Sequence, residues 1–571
     1  MEISKENWMT DIVNNLLEKF KTTELLAQSL DKPLIRIKED DLYEIVSYIK
    51  EYGFSILLDI VGIDFFAYNE KKEHRFALIY HFRDKNFKQT VSLKVNVSNE
   101  KDGVKSITSL YSVANWLERE VYDQYGINFK EHPLLKRILN HMEFIGHPLR
   151  KDYEITKGQY CTYTQDMMDE LAPQLKQRSL DIQKDNLMVL NLGPSHPASH
   201  GTIRTIVALD GEKIKAGACE IGYLHRGFEK SCENHTYNQI IPYTDRLNYC
   251  SAIMNNIAFS KTVEDMLGLT LPDRGIHLRV IIAELSRVID HLVCLAAALL
   301  DMGAQTNYWY IFNPRGEAYD FLSKLTGARL TNSYTRIGGM THDFHDGWEE
   351  ELQSILKSIE KGIDQSLLMT EHNRIFQERV QDISPFSAAQ ALDHGFTGPN
   401  LRASGVAYDL RFDKPYDMYD TFDFDMIVGS HGDNHDRLMV RFFEIKESIK
   451  IIRQAVNRIP DGPISVDNHA VVMPDKKSVY NTIEGAMNQF KLVYEGVKVP
   501  KQTYYGAYEA ANGELGFTII SDGSGTPYRV KVRAPSFIHI QAYPKLIENY
   551  QVGDAILTLG SLNIIAGEMD R

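Results

Sequence analysis

The sequence predicts an α+β protein with more than one domain, on three observations. Its 571 residues are more than one hydrophobic core organises. The first 150 or so residues mix helical spacing with strand-like runs, which reads as a small N-terminal α+β domain. The later residues carry three long amphipathic helical patterns with strand-like segments before and after them, which reads as a mainly α-helical domain with a β-sheet near its N-terminus. The corresponding boundaries are 1–153 for the first domain, 154–185 for a linker and 186–571 for the second domain.

Taken in order, residues 41–52, DLYEIVSYIKEY, have helical spacing. FSILLDIVGID is then an apolar run with the composition of a buried strand. HRFALIYHF and KQTVSLKVNV alternate as strands with an exposed face do. A helix at LYSVANWLEREVYDQYG ends at Gly126. The linker is polar, with a helix at TQDMMDELAPQL. LMVLNL and GTIRTIVALDG are strand-like and flank a loop, so that loop is a hairpin tip, and GEKIKAGACEIGYL continues the sheet after the Asp210–Gly211 turn.

In the helical part, Ile276, Val280, Ile281, Leu285, Val288, Leu292 and Leu295 recur close to a 3.6-residue period. WEEELQSILKSIEKGIDQSLLMTE and DRLMVRFFEIKESIKIIRQAVNRI are the second and third amphipathic helices. Faces this long need partners, so an antiparallel helix bundle is expected. The end returns to strands at GELGFTIISDGSGTPYRVKVRAPSF, with a glycine-rich turn at Asp522–Gly525.

Bulk properties exclude some functions. A formal net charge of -14 argues against a general nucleic-acid binder, which needs a basic face. The five cysteines form no CxxC pair, which argues against a disulfide framework or a zinc knuckle and fits a reducing compartment. The N-terminal residues lack the pattern of a signal peptide. The longest apolar run, Leu292 to Leu300, is well short of the roughly 20 residues that cross a bilayer.

The hairpin loop, NLGPSHPASHG, carries His196 and His200 four residues apart. On a helix that spacing stacks two imidazoles on one face, the usual start of a metal site. Pro194 and Pro197 remove backbone donors, and Gly193 and Gly201 bracket the run, so the segment is a stiff loop instead. A loop limited in this way loses less entropy when it orders around a ligand.

EREVYDQYGINFKEHPLLKRIL with GHPLRKDYE, between Glu118 and Glu154, resembles the signature of the 30-kDa-type subunit of respiratory complex I, the NADH:quinone oxidoreductase. NLGPSHPASHGTIR, GYLHRGFEK, YTDRLNY, ELSRVIDHL, LLDMGA, RIGG, LRASGVAYDLR and SDGSGTPYRVKVRAPSF resemble the 49-kDa-type subunit of the same enzyme. Their order is that of the fused C/D subunit of some bacteria. The 49-kDa-type family is related to the large subunits of [NiFe] hydrogenases, so the resemblance implies a hydrogenase-large-subunit-like second domain. Those enzymes hold their metals with four thiolates, as a soft centre requires. Here Asn248 and Ser251 stand at the first cysteine places, Cys250 is offset, and GSLNIIAGEMDR has no cysteine. The resemblance therefore implies an old metal cavity without its metal, turned over to the quinone head group, and no metal bound by this chain.

Quinone reduction takes two electrons and two protons. Histidine titrates near neutrality, and tyrosine, with an ordinary pKa of roughly 10, is a neutral donor. By resemblance, His200 and Tyr249 hydrogen-bond the quinone, with His196 as a further quinone contact whose role is open. Asp301 resembles the buried acid that contacts this histidine, fixing its tautomer and favouring the imidazolium. Arg226 and Arg246 are either structural ion pairs or, by resemblance, cations near the terminal Fe–S cluster of a partner.

Arg529, Lys531 and Arg533 alternate with Val530 and Val532, which fits a solvated sheet face or, as preferred here, a docking face for an acidic partner. DNHD, Asp433 to Asp436, reads as a polar turn that caps a helix.

The resemblance further implies that this chain holds no cofactor of its own. No GxGxxG fingerprint follows a strand and no cysteines cluster. Quinone is the substrate, the Fe–S cluster belongs to a B-type partner subunit, and NADH and FMN bind elsewhere in the complex. The expected partners are that B-type subunit, a ferredoxin-like I-type subunit and the H-type and A-type membrane subunits. The expected place is the cell inner membrane, peripheral, on the cytoplasmic side. The rival functions are a ferredoxin- or F420-fed quinone or phenazine reductase subunit, a metal-binding hydrogenase-like enzyme, an HxxxH hydrolase, and an assembly subunit with a vestigial pocket.

Overall fold

The computed structural model describes residues 5–571 apart from 30–31, 69–72, 163–165 and 197–198. The chain divides into two compact units: residues 1–170 with 389–396, and residues 171–388 with 397–571.

The first unit contains α1 (Lys5–Lys19), β1 (Glu24–Ser29), β2 (Lys32–Ile37), α2 (Leu42–Tyr52), β3 (Ile56–Asp64), β4 (Phe76–Arg83), β5 (Thr90–Val97) and α3 (Ala114–Tyr125). The five strands run in the order β1-β2-β5-β4-β3. β2 and β5 are parallel and the other neighbours antiparallel. The helical spacing of residues 41–52 has its cause in one stripe: Leu42, Ile45, Val46 and Ile49 are all buried. α3 ends as expected at Gly126, whose φ of 71° lets its N–H reach the Tyr122 carbonyl. A Cβ there would stand 2.4 Å from His147 Nε2, so glycine is required for space as well as for conformation.

β3 is buried throughout, as its apolar run predicts. β4 departs from the expectation of an exposed face, since all eight of its residues are buried. One of its polar residues finds a partner on the next strand: His81 Nδ1 shares a 2.8 Å hydrogen bond with Ser92 Oγ of β5. β5 is likewise buried except at Lys94 and Asn96, which are half-buried.

Glu118 of α3 is buried too. Its Oε1 accepts the Ile107 N–H at 2.8 Å and its Oε2 accepts the Ser106 hydroxyl at 2.7 Å. Burial pushes its pKa up to about 8 despite both bonds. The folded state therefore keeps a proton that the unfolded chain releases near pH ~4.3, and stability falls as pH rises between those two values. In Glu118→Gln this part of the fall is expected to vanish. The check is the denaturant midpoint of the full chain against pH, where the gap between variant and parent should widen from pH 5 to 8.

The second unit opens with β6 (Met188–Leu192), β7 (Arg204–Asp210) and β8 (Lys213–Glu220), an antiparallel sheet in the order β8-β7-β6. The predicted hairpin and its continuation after Asp210–Gly211 are both present. The helix expected in the linker runs from Met168 to Gln177, and the expected start of that stretch overlaps residues 163–165, outside the described residues. Next come α4 (Ala252–Leu267), α5 (Asp273–Asp301), α6 (Gln305–Thr326), α7 (Trp348–Glu371) and α8 (Asn434–Arg458). α5 packs on α6 and α8, and α7 packs on the same two, which closes a four-helix bundle. β9 (Gln502–Ala510), β10 (Gly513–Ser521) and β11 (Arg529–Arg533) form an antiparallel sheet, and α9 (Val552–Leu562) packs on α5 and α8. No described helix is long and apolar enough to cross a membrane.

The core of this unit holds a charge network that helical periodicity does not announce. Glu284 of α5 accepts from Tyr419 Oη at 2.6 Å and from Ser448 Oγ at 2.7 Å, and lies 3.2 Å from both Arg287 and Arg411. Arg411 also pairs with Asp409 at 2.7 Å, and Arg402 reaches Glu509 at 2.9 Å as well as Glu444. All seven charged side chains are buried. Burial, then the neighbouring Asp409, pushes Glu509 up to about 7, against the lowering pull of Arg402, Arg287 and Arg411.

β11 overturns the docking-face expectation. Arg529, Lys531 and Arg533 are as buried as Val530 and Val532. Arg529 Nη2 lies 2.7 Å from Glu229 Oε2, Lys531 Nζ 3.8 Å from Oε1, and Arg533 Nη1 donates to Thr397 Oγ1 at 3.0 Å. The cationic face is turned onto an internal carboxylate, so it is not a surface for a partner.

Candidate functional site

The loop between β6 and β7 holds both histidines. Pro197, one of its two stiffening prolines, lies outside the described residues. The strands pair up to Leu192 opposite Thr205, and His196 forms a single bridge with Gly201. The Ser199 hydroxyl lies 2.6 Å from the His196 carbonyl and 2.7 Å from that of Gly201, tying the loop across its own neck. His200 sits in the left-handed region at φ 49°. That conformation is uncommon for a side-chain-bearing residue and turns the imidazole away from the direction an extended strand would give it.

His200 Nε2 stands 2.7 Å from Asp301 Oδ2, at the last residue of α5. The resemblance pointed to this pair, and the geometry brings it together. The two side chains keep 17% and 21% of their surface, and Asp301 as a whole residue is exposed, so it is not the buried acid that the resemblance implied. Gly560 of α9 makes room for them: a Cβ there would lie 3.3 Å from both Asp301 Oδ2 and His200 Cε1.

Tyr249 follows Asn248 in a short turn that leads into α4. It is half-buried, and burial, then Cys250 and Asp290, raises its pKa, so its hydroxyl keeps its proton at neutral pH. Gly567 packs against this turn, where a Cβ would meet the Arg246 carbonyl at 2.4 Å, the Leu247 carbonyl at 2.8 Å and Tyr249 Cδ1 at 3.2 Å. A Cβ on Gly201, next to His200, would meet Ala566 at 3.3 Å. His200 and Tyr249 thus border one stretch of chain, Gly560 to Gly567. Gly567→Ala is expected to cost about 1–3 kcal/mol by forcing backbone apart and to move Tyr249. Thermal unfolding checks the cost, and a crystal structure of the variant checks the shift.

Asn248, at a place that the resemblance gives to the first cysteine pair, is tied through α5 to the C-terminal segment that it gives to the second. Asn248 Nδ2 donates to Asp290 Oδ2 at 2.6 Å, and Asn563 Nδ2 donates to Asp290 Oδ1 at 2.7 Å. One buried carboxylate of α5 therefore clasps both segments. Neither Asp290 nor Asn563 was singled out from the sequence. The available signal was a further acid, after Glu284, in a helix whose apolar spacing marks it as core. Amides, a carboxylate and a thiol whose pKa burial raises do not fit the four-thiolate demand of a nickel–iron centre.

His196 is exposed, as are Arg226 and Arg246. Arg246 Nη1 donates to the Pro242 carbonyl and lies 3.8 Å from Asp245 Oδ2. Partial desolvation, then repulsion from Arg246, lowers the pKa of Arg226. The DNHD segment is the expected cap: Asp433 Oδ1 accepts the Asp436 N–H at 2.9 Å. Asp436 Oδ2 accepts the N–H groups of Ser430 and His431, each at 2.7 Å.

Residues 35–159 match the family described as respiratory-chain NADH dehydrogenase, 30 Kd subunit, and residues 301–571 match the 49 Kd subunit family. The chain is 44% identical over 556 residues to the C/D subunit of the NADH-quinone oxidoreductase of Bdellovibrio bacteriovorus, covering 97% of each chain. It is 34% identical over 582 residues to the C/D subunit from Proteus mirabilis, covering 98% of this chain and 96% of that one. With the D subunit of the NADH-quinone oxidoreductase of Pelobacter propionicus it shares 49% identity over 386 residues, 68% of this chain and 96% of the relative. A 30-kDa-type part and a 49-kDa-type part thus lie on one polypeptide, and the chain belongs to the family of fused C/D subunits of NADH:quinone oxidoreductase.

Proposed function

We propose that the second unit forms the quinone-reduction pocket of a proton-translocating NADH:quinone oxidoreductase, beside the terminal Fe–S cluster of a B-type partner subunit. The observation that carries this reading is the His200–Asp301 pair standing with Tyr249 along the Gly560–Gly567 stretch. A quinone carbonyl gains basicity as electrons arrive and needs a proton at each oxygen. His200, held by Asp301, supplies one as an imidazolium, and Tyr249, still protonated at neutral pH, hydrogen-bonds the other oxygen and supplies the second, both donors then taking protons back from solvent. Once His200 has given up its proton, the attraction between imidazolium and Asp301 carboxylate is lost, and we place the first link to proton pumping at that change. His196 is a further contact for the head group.

Arg226 and Arg246 are assigned to the side facing the partner's cluster, where two cations stabilise its reduced form. NADH, FMN and the clusters are assigned to other subunits, and I-, H- and A-type subunits complete the surroundings. The chain then sits peripherally on the cytoplasmic side of the cell inner membrane, with the 30-kDa-type part as a scaffold.

Tyr249→Phe in the assembled enzyme tests the reading. Quinone reduction is expected to drop about 100-fold or more, while NADH oxidation by a hydrophilic one-electron acceptor, which bypasses the pocket, stays at the parent rate. Equal quinone turnover in parent and variant would remove Tyr249 from the mechanism and favour an assembly role.

A further inference from the structure

On the first unit, ahead of the histidine loop in the chain, three side chains of metal-ligating type converge at the surface. His141, Glu143 and Cys161 each offer one donor atom, and the three atoms lie within 4.8 Å of one another. Backbone pairing builds this convergence. The Gln159 amide accepts the Ile145 N–H and donates to the Ile145 carbonyl, each at 2.7 Å. The Thr162 N–H donates to Glu143 Oε2 at 2.8 Å. These bonds fold residues 159–162 onto 141–146 and set Cys161 beside His141 and Glu143.

The donor set is suited to a particular ion. His141 Nδ1 accepts the Glu143 N–H at 3.2 Å, a long hydrogen bond that it exchanges for the metal on ligation. It lies 3.7 Å from Glu143 Oε2, comparable to the edge of a tetrahedron built on metal–ligand bonds of about 2.0–2.3 Å. Sulfur, nitrogen and oxygen together suit a borderline-soft divalent ion, whereas calcium and magnesium call for oxygen alone. We infer that His141, Glu143 and Cys161 form a binding site for a divalent cation of the zinc class, with water as the fourth ligand. Binding takes the thiolate, so the Cys161 proton is released to solvent and affinity falls as pH is lowered. The ion clips residues 159–162 to the body of the first unit. The missing CxxC pair conceals such a site from a sequence reading, because its single thiol and its two other ligands come from separate turns.

Cobalt(II) titrated into the full chain is the test, since it takes the same ligands and is coloured. One equivalent is expected to bind, with a sulfur-to-cobalt charge-transfer band and the visible bands of a tetrahedral site. Cys161→Ser should abolish the charge-transfer band. His141→Ala should weaken binding by more than the roughly 10–100-fold that loss of an orienting partner costs. His435→Ala, in the sulfur-free Asp433–His435–Asp436 group, should change neither. Added zinc should raise the unfolding temperature of the parent and leave that of Cys161→Ser where it was. No binding, binding without a sulfur band, or a band that survives Cys161→Ser would each overturn the inference.

Discussion

Replacing His200 with asparagine in the assembled enzyme is expected to lower quinone turnover by about 10²–10⁴-fold, the usual range for removing a positioned general acid. Asparagine is the informative choice because it tolerates the left-handed backbone that His200 occupies at φ 49°. A loss in this variant therefore reports the missing imidazole and not a strained loop. Asp301→Asn keeps the shape of the pair and removes its charge. It is expected to lower turnover less than His200→Asn, because the imidazole stays in place and loses only the carboxylate 2.7 Å away. The reaction of NADH with a hydrophilic acceptor should be unchanged in both variants. Unchanged quinone kinetics in His200→Asn would refute the proposed role of this histidine outright.

Glu229→Ala is expected to destabilise the second unit by about 3–5 kcal/mol, the cost of removing one partner from a buried ion pair. Glu229 lies 2.7 Å from Arg529 Nη2, 3.3 Å from Arg571 Nε and 3.8 Å from Lys531 Nζ, and its Oε1 accepts the Val532 N–H at 3.0 Å. Burial alone would raise its pKa, but Arg529, Lys531 and Arg571 together outweigh it and hold the carboxyl well below the usual range. A carboxyl lowered on folding stabilises fully above its unfolded pKa of ~4.3, and that stability is lost as pH falls from there toward the folded value. The parent should therefore lose stability more steeply than Glu229→Ala below pH ~4. Denaturant unfolding of both chains at neutral and acid pH reads the two effects. Equal midpoints at neutral pH would mean that the three cations find enough compensation elsewhere.

These two residues stand on opposite sides of what a sequence can convey. Helix positions were legible because a 3.6-residue period is a local property: α5, α7 and α8 lie where the apolar spacing puts them. The histidine loop was legible for the same reason, since prolines and glycines between two strand patterns define a turn without help from distant residues. β11 and β4 were misread. Alternation says which residues share a face, not what covers it, and the carboxylate that meets Arg529 lies 300 residues earlier in the chain. The Asp290 clasp and the Glu284–Arg411 network escaped for a related reason, because a charge inside an apolar stripe is acceptable only with a counter-charge from elsewhere. Motif resemblance pointed to His200, Tyr249 and Asp301. The fold then set His200 against Asp301 and ran the Gly560–Gly567 stretch past both rings. By itself the sequence determined the family, the order of the elements and the chemical types available to the site. Only the tertiary structure decided which charges are buried and which side chains meet, because desolvation and ion pairing depend on neighbours in space that no local period encodes.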